Sequence, residues 1–222
     1  MPSLDPSPSL RRSQLIEIAV VTLAALSLAI GSPYPDQMPL QHSATVLLCG
    51  YLVHQTWTGR LRNLELRCLL GFLLLHAFAA RWIYSYVPYD RWSQSLFGIS
   101  ITRTFHFRRN HFDRLVHFLY GVLVTPHMVR KFSGRVSTPA QSRYFALEFV
   151  GFTSLLYELF EWALTLVLSP DDIESYNGQQ GDAWDSQKDM LCALVGCLAV
   201  VGPWQVVSML RRPTGSSSPS ES

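Results

Sequence analysis

Six apolar runs divide this chain, and each is long enough to cross a bilayer or nearly so. They are Leu15–Ile30, Leu40–Trp57, Leu66–Tyr86, Phe112–Val129, Tyr144–Leu168 and Met190–Leu210. A helix needs ~20 mostly apolar residues to span ~30 Å of hydrocarbon. The runs are too long and too evenly apolar for buried strands, and an isolated strand in lipid leaves its backbone unpaired. The expected fold is therefore all-α, a polytopic membrane bundle of about six helices. Gly31-Ser32-Pro33, Pro88 and Ser169-Pro170 close the first, third and fifth runs, and Pro126 interrupts the fourth.

Charge is scarce: 15% of the 222 residues are charged, against ~25% in ordinary soluble domains. A net charge of +2 without a basic stripe argues against nucleic acid as a partner. The expected partner is the lipid bilayer. Arg11-Arg12 ahead of an apolar run resembles a signal peptide, but five further runs favour an uncleaved first span. Residues 1–13 and 213–222, rich in Ser and Pro, are expected to be disordered flanks of one domain over 14–212. Cys49, Cys68, Cys192 and Cys197 all sit in apolar runs without a CxxC, which reads as packing.

Orientation follows from Lys and Arg in the short loops. With both termini cytoplasmic, inner segments hold eleven of the eighteen Lys and Arg residues. The loop over residues 31–43 has none, and the loop over 169–189 has Lys188 among six acids. Residues 87–111 break the rule with Arg91, Arg103, Arg108 and Arg109. Acids of the facing outer loop are the expected partners of these arginines. Trp82, Tyr84, Tyr86, Tyr89 and Trp92 mark the interface nearby.

The polar residues gather at one level. In RNHFDRLVHF, Asp113 and His117 are four apart and share a helix face. In YELFEW, Glu158 and Glu161 are three apart, and Glu161 lies ~10 Å below the outer end of its span at 1.5 Å per residue. Such a glutamate costs on the order of 3 kcal/mol unless paired or protonated. The final turn adds Asp182, Asp185 and Asp189. Arg81, Arg108 and Arg109 lie at the same depth. His76 sits mid-span, where a hydrogen bond between helices is the ordinary explanation.

Asp113, His117, Glu158 and Glu161 are the catalytic candidates, and Arg81, Arg108 and Arg109 the candidates for holding a head group. Asp113, His117, Glu161, Asp182, Asp185 and Asp189 form the expected metal-ligand set. Oxygen donors with one imidazole suit a hard or borderline divalent ion. They equally suit acid–base chemistry, or an arginine pocket for a phosphate-bearing lipid. No HExxH, GxSxG, P-loop or desaturase histidine box is present.

The segments HAFAARWIYSYVPYDRW, RNHFDRLVHFLYGVL, YELFEW and GQQGDAWDSQKDM, in that order, resemble the YjdF-like family of bacterial inner-membrane proteins. The resemblance implies a bacterial cytoplasmic-membrane protein and no particular activity. The layout of an Asp-x-x-x-His helix, a later Glu and an Asp-rich turn is also similar to that of VanZ-like membrane proteins. A second Glu and the WDSQKDM run depart from that layout. Three functions fit these expectations: a metal-dependent enzyme acting on a lipid or lipid-linked head group, a proton- or cation-coupled transporter, and a non-catalytic structural factor.

Overall fold

The computed structural model describes residues 8–167 and 179–210, the side chains of 204–210 excepted. The flank over 1–7, the turn at Gly178 and the tail over 213–222 lie outside the described residues. Six long helices stand where the six runs predict them, and no strand occurs among the described residues. They are α1 (Pro8–Ser27), α2 (Met38–Trp57), α3 (Asn63–Ala80), α6 (Phe112–Ser133), α7 (Pro139–Leu164) and α8 (Asp185–Leu210). Two short helices, α4 (Tyr89–Phe97) and α5 (Ile101–Thr104), lie between α3 and α6.

Several expected boundaries move. Helix α1 takes in residues 8–13, expected to be disordered. The third run stops being helical at Ala80 rather than Tyr86. Residues 81–86 are tight turns, with Ile83 and Tyr84 at φ 41° and 56°. Left-handed backbone is costly for a β-branched residue, so the surrounding packing must hold it. Its effect is to fold Tyr84 back against α3, where its hydroxyl bonds His76 Nδ1. Pro126 does not break the fourth helix, which runs on to Ser133. Among the described helices, only α3 is long and apolar enough by itself to cross a membrane. The other five carry charged residues or run less apolar, and several of those charges find partners inside the bundle.

The bundle is built in two layers. Helices α1, α2 and α3 pack on one another, as do α6, α7 and α8, and α3 against α6 joins the two sets. The α6–α8 seam is the closest. A Cβ on Gly121 would lie 2.0 Å from Ala193 O, and one on Gly196 would lie 2.0 Å from Phe118 O. Small residues let backbones approach this way in lipid, where the hydrophobic effect does not pull helices together. The two helices run parallel, so the first turns of both come level. Leu52, Leu66, Leu73, Ala77, Val124 and Ala146 fill the interior below.

Polar side chains tie the ends. Arg81 donates to Leu28 O at 2.7 Å, Ile30 O at 2.7 Å and Gly31 O at 2.9 Å, closing the last turn after α1. Thr138 and Gln141 form a reciprocal cap on α7 with Pro139 at its start. Asp90 accepts from Ser100 Oγ and from Thr102 N at 2.8 Å, which fixes the α4–α5 corner. Tyr89, Trp92 and Leu96 share one face of α4, and Trp92 packs edge-on to Trp82 at 5.3 Å. Arg91, Arg103 and Arg108 are exposed along this segment.

Candidate functional site

The parallel start of α6 and α8 brings Asp113 and His117 beside Asp185 and Asp189. Helix α7 runs the other way and adds Glu158. His117 Nε2 lies 3.7 Å from Asp113 Oδ1 and 3.7 Å from Glu158 Oε1. One donor atom each from Asp113, His117 and Asp189 lies within 4.8 Å of the others, the one group of this kind among the described residues. Asp113, Glu158 and Asp189 are buried, and the His117 side chain is 10% exposed.

Three donors bound at ~2.1 Å to one tetrahedral ion lie roughly 3.4 Å apart. The widest pair of the group must therefore close by up to about 1.4 Å on binding. Two oxygens here, Glu158 Oε1 and Asp189 Oδ1, are buried and accept no hydrogen bond, although Arg114 Nε stands 3.9 Å from the second. Buried polar atoms are rarely left so, and each calls for a proton, a water or a cation.

The expected ligand set divides. Asp182 and Asp185 are engaged by arginine and lysine. Arg109, buried, donates to Asp185 Oδ1 and to Gln179 O at 2.9 Å. Arg114 donates to Asp182 Oδ2 at 2.5 Å and to Asp185 Oδ1 at 3.2 Å. Lys188 Nζ reaches Asp182 Oδ2 at 2.6 Å. Lys188 and Arg114, with the Trp184 N–H, hold the Asp182 carboxyl far below the usual carboxylate range. Asp182 Oδ1 also accepts from Trp184 N at 3.1 Å, just ahead of α8. Glu161 is outside the metal-sized group and accepts from the Tyr157 hydroxyl.

The arginines divide as well. Arg81 is spent on the end of α1, away from the cluster. Arg109 and Arg114 are tied to aspartates and serve to hold the α8 turn against α6. Arg108 alone of the expected head-group residues is exposed at this end. Among the described residues, Arg109 is the one of the four arginines breaking the positive-inside pattern that the acids of the last loop receive.

A second buried polar network was not anticipated. Glu65 of α3 lies 3.1 Å from Arg130 Nε and 3.7 Å from His127 Nδ1 on α6. His127 Nε2 and Tyr51 OH are 2.6 Å apart, and Lys131 donates to Tyr51 OH at 3.2 Å. It sits at the opposite end of α6 from Asp113. The signal was available: His127, Arg130 and Lys131 fall three and four residues apart on the α6 face that continues from His117 through Tyr120 and Val124.

The described residues form an all-helical bundle with an internal polar site of acids and a histidine held beside arginines. The chain belongs to the family described as "Predicted membrane protein (DUF2238)", which matches residues 14–208. It is 28% identical over 196 residues to "Inner membrane protein YjdF" of Escherichia coli (strain K12), covering 84% of this chain and 87% of that protein. The expected YjdF-like resemblance holds. No solved structure matches the chain.

Proposed function

We propose that this chain is a six-span protein of the bacterial inner membrane, with both termini cytoplasmic. Residues 14–212 form its one domain. Its outer-leaflet site binds a divalent cation and acts on a lipid or lipid-linked head group. Asp113, His117 and Asp189 are the ligands, and Glu158 is the acid–base group beside them. The single observation that carries this reading is the convergence of those three donors within 4.8 Å. The unsatisfied oxygens of Glu158 and Asp189 add to it. A cation repays the burial of two such carboxylates, which is otherwise costly in a medium of low dielectric constant. Arg109 and Arg114 keep the α8 turn in place, and Arg108 is the arginine left to meet a phosphate.

The test is metal content. Wild type purified in detergent and loaded with Mn²⁺ or Zn²⁺ should retain about one ion per chain, and His117→Ala should weaken retention at least about tenfold. Glu161→Gln should leave it unchanged. Negligible metal in both wild type and His117→Ala would remove the ligand role.

The buried Glu65–His127–Tyr51 network favours a second reading, proton- or cation-coupled transport, because titratable groups then stand at both ends of α6. Proteoliposomes with an internal pH dye distinguish the two. A gradient-driven proton flux lost in both His117→Ala and Glu65→Gln would favour transport.

A further inference from the structure

A cavity of about 190 Å³ adjoins the metal-sized group and shares His117 with it. Its floor is the α3–α6 seam, with Phe72 and His76 on one side and His117 and Tyr120 on the other. Ala44 of α2 and Ser154 of α7 stand at its sides. Helix α2 packs on α1 and α3, and α7 on α6 and α8, so α2 and α7 leave a cleft between them over that seam. Ala44 is exposed at its edge and is too small to close it. In a bundle lying in lipid, a cleft between two outer helices opens sideways, toward hydrocarbon.

Two further observations point to an occupant. Ser154 Oγ is buried, with the residue 3% exposed, and has no hydrogen-bond partner. It lies one helical turn from Glu158, so a hydroxyl without a partner sits next to the proposed acid–base group. The rest of the lining is mostly aromatic, with Ala44, Val116 and the hydroxyl of Thr153. At ~30 Å³ per water, the space equals about six waters, a narrow volume for one short apolar segment and too little for two side by side.

We propose that this cleft seats the head-proximal part of a single apolar lipid chain. The chain slides in between α2 and α7, and its anionic oxygen head comes to rest against the cation held by Asp113, His117 and Asp189. This rests on the reading of those residues as the ligands of a divalent cation. Lipid tails are as apolar as the helix surface, so burying a chain here gains little hydrophobic energy. Selection therefore comes from shape at Ala44 and Phe72, and from Ser154 donating to an oxygen near the head. The substrate class is a single-chain lipid phosphate, not a diacyl glycerophospholipid.

The test uses the full chain in phosphatidylcholine nanodiscs with an octadecyl phosphate carrying a photoreactive diazirine near its head. Mass spectrometry of the labelled protein should find the adducts on α2, α3, α6 and α7 around the cleft. Unlabelled octadecyl phosphate should compete them away, and dioleoyl phosphatidic acid should not. Ala44→Trp should cut this labelling at least about tenfold while Mn²⁺ binding is kept. Ala44→Leu, a smaller block at the same exposed edge, should reduce it by less. His117→Ala, which removes a cation ligand and part of the cleft wall, should lose Mn²⁺ and weaken the chain adducts as well.

Adducts scattered over the lipid-facing surface, equal competition by phosphatidic acid, or unchanged labelling in both Ala44 variants would each overturn the proposal. Competed cleft adducts in a wild type that binds no Mn²⁺ would uphold the cleft and sink the metal reading instead.

Discussion

Gly121 of α6 and Gly196 of α8 lock the two helices together backbone to backbone. A Cβ on the first would meet Ala193 O at 2.0 Å and Cys197 N at 2.7 Å, and one on the second would meet Phe118 O at 2.0 Å. Every residue of the proposed ligand group sits on the two turns of α6 and α8 that precede this crossing. The seam therefore sets the spacing of Asp113 and His117 from Asp189.

Gly121→Ala should be severely destabilising. The atoms it meets are backbone, which cannot move aside as a side chain would. The cost should reach or pass the ~3 kcal/mol upper end of overpacking. Gly71→Ala, on α3 with nothing within 4 Å of its Cβ, should be neutral or stabilising by about 0.5 kcal/mol from helix propensity. Thermal unfolding of both variants in one detergent checks the contrast.

Asp185→Asn should cost about 3 kcal/mol, because it removes the nearer carboxylate of the buried Arg109 guanidinium and leaves Asp182 at 4.0 Å. Asp182→Asn, whose partners Arg114 and Lys188 are more open to water, should cost less. Equal losses in the two variants, read by thermal unfolding, would contradict the assignment of Arg109 to a structural pair.

Asp182 should also mark the acid limit of stability. Its carboxyl titrates lower in the folded chain than its unfolded value of ~3.9. The unfolded chain then binds the proton first, so the contribution is complete above about pH 4 and is lost as the pH falls further. Wild type should lose more thermal stability than Asp182→Asn on acidification from pH 5 to pH 3, and the two should run parallel between pH 6 and pH 8.

Arg81→Gln should loosen the end of α1 without touching the site. Three carbonyls after α1 lose a charged donor, worth about 2 kcal/mol in total by the range for charge-assisted bonds. Hydrogen exchange should rise over residues 28–34, and Mn²⁺ retention should match wild type. A loss of metal with unchanged exchange would restore Arg81 to the site.

Much of the architecture is legible in one dimension. Apolar run lengths place all six long helices, because a segment that must satisfy its backbone in lipid has few alternatives to a helix. The spacing of Asp113 and His117 puts both on one face for the same reason. What escapes is local and depends on partners. The turn at Ile83–Tyr84 lies inside an unbroken apolar run and has no glycine to announce it. Pro126 reads as a break, yet α6 continues through it. Residues 87–111 read as a loop, although Tyr89, Trp92 and Leu96 already carry a helical period.

The division of the charged residues is where sequence and tertiary structure part. The sequence alone determines that Asp113, His117, Glu158, Asp182, Asp185 and Asp189 cannot lie scattered in hydrocarbon, since isolated charges there are too costly. It does not say which acid meets which base. That choice is made by the Gly121–Gly196 crossing and by the parallel run of α6 and α8. These bring Asp189 to His117 and Asp185 to Arg109, while the packing of α1 on α3 takes Arg81 to the end of α1. Pairing depends on distances of a few ångströms between helices some 70 residues apart, and only packed backbones supply those.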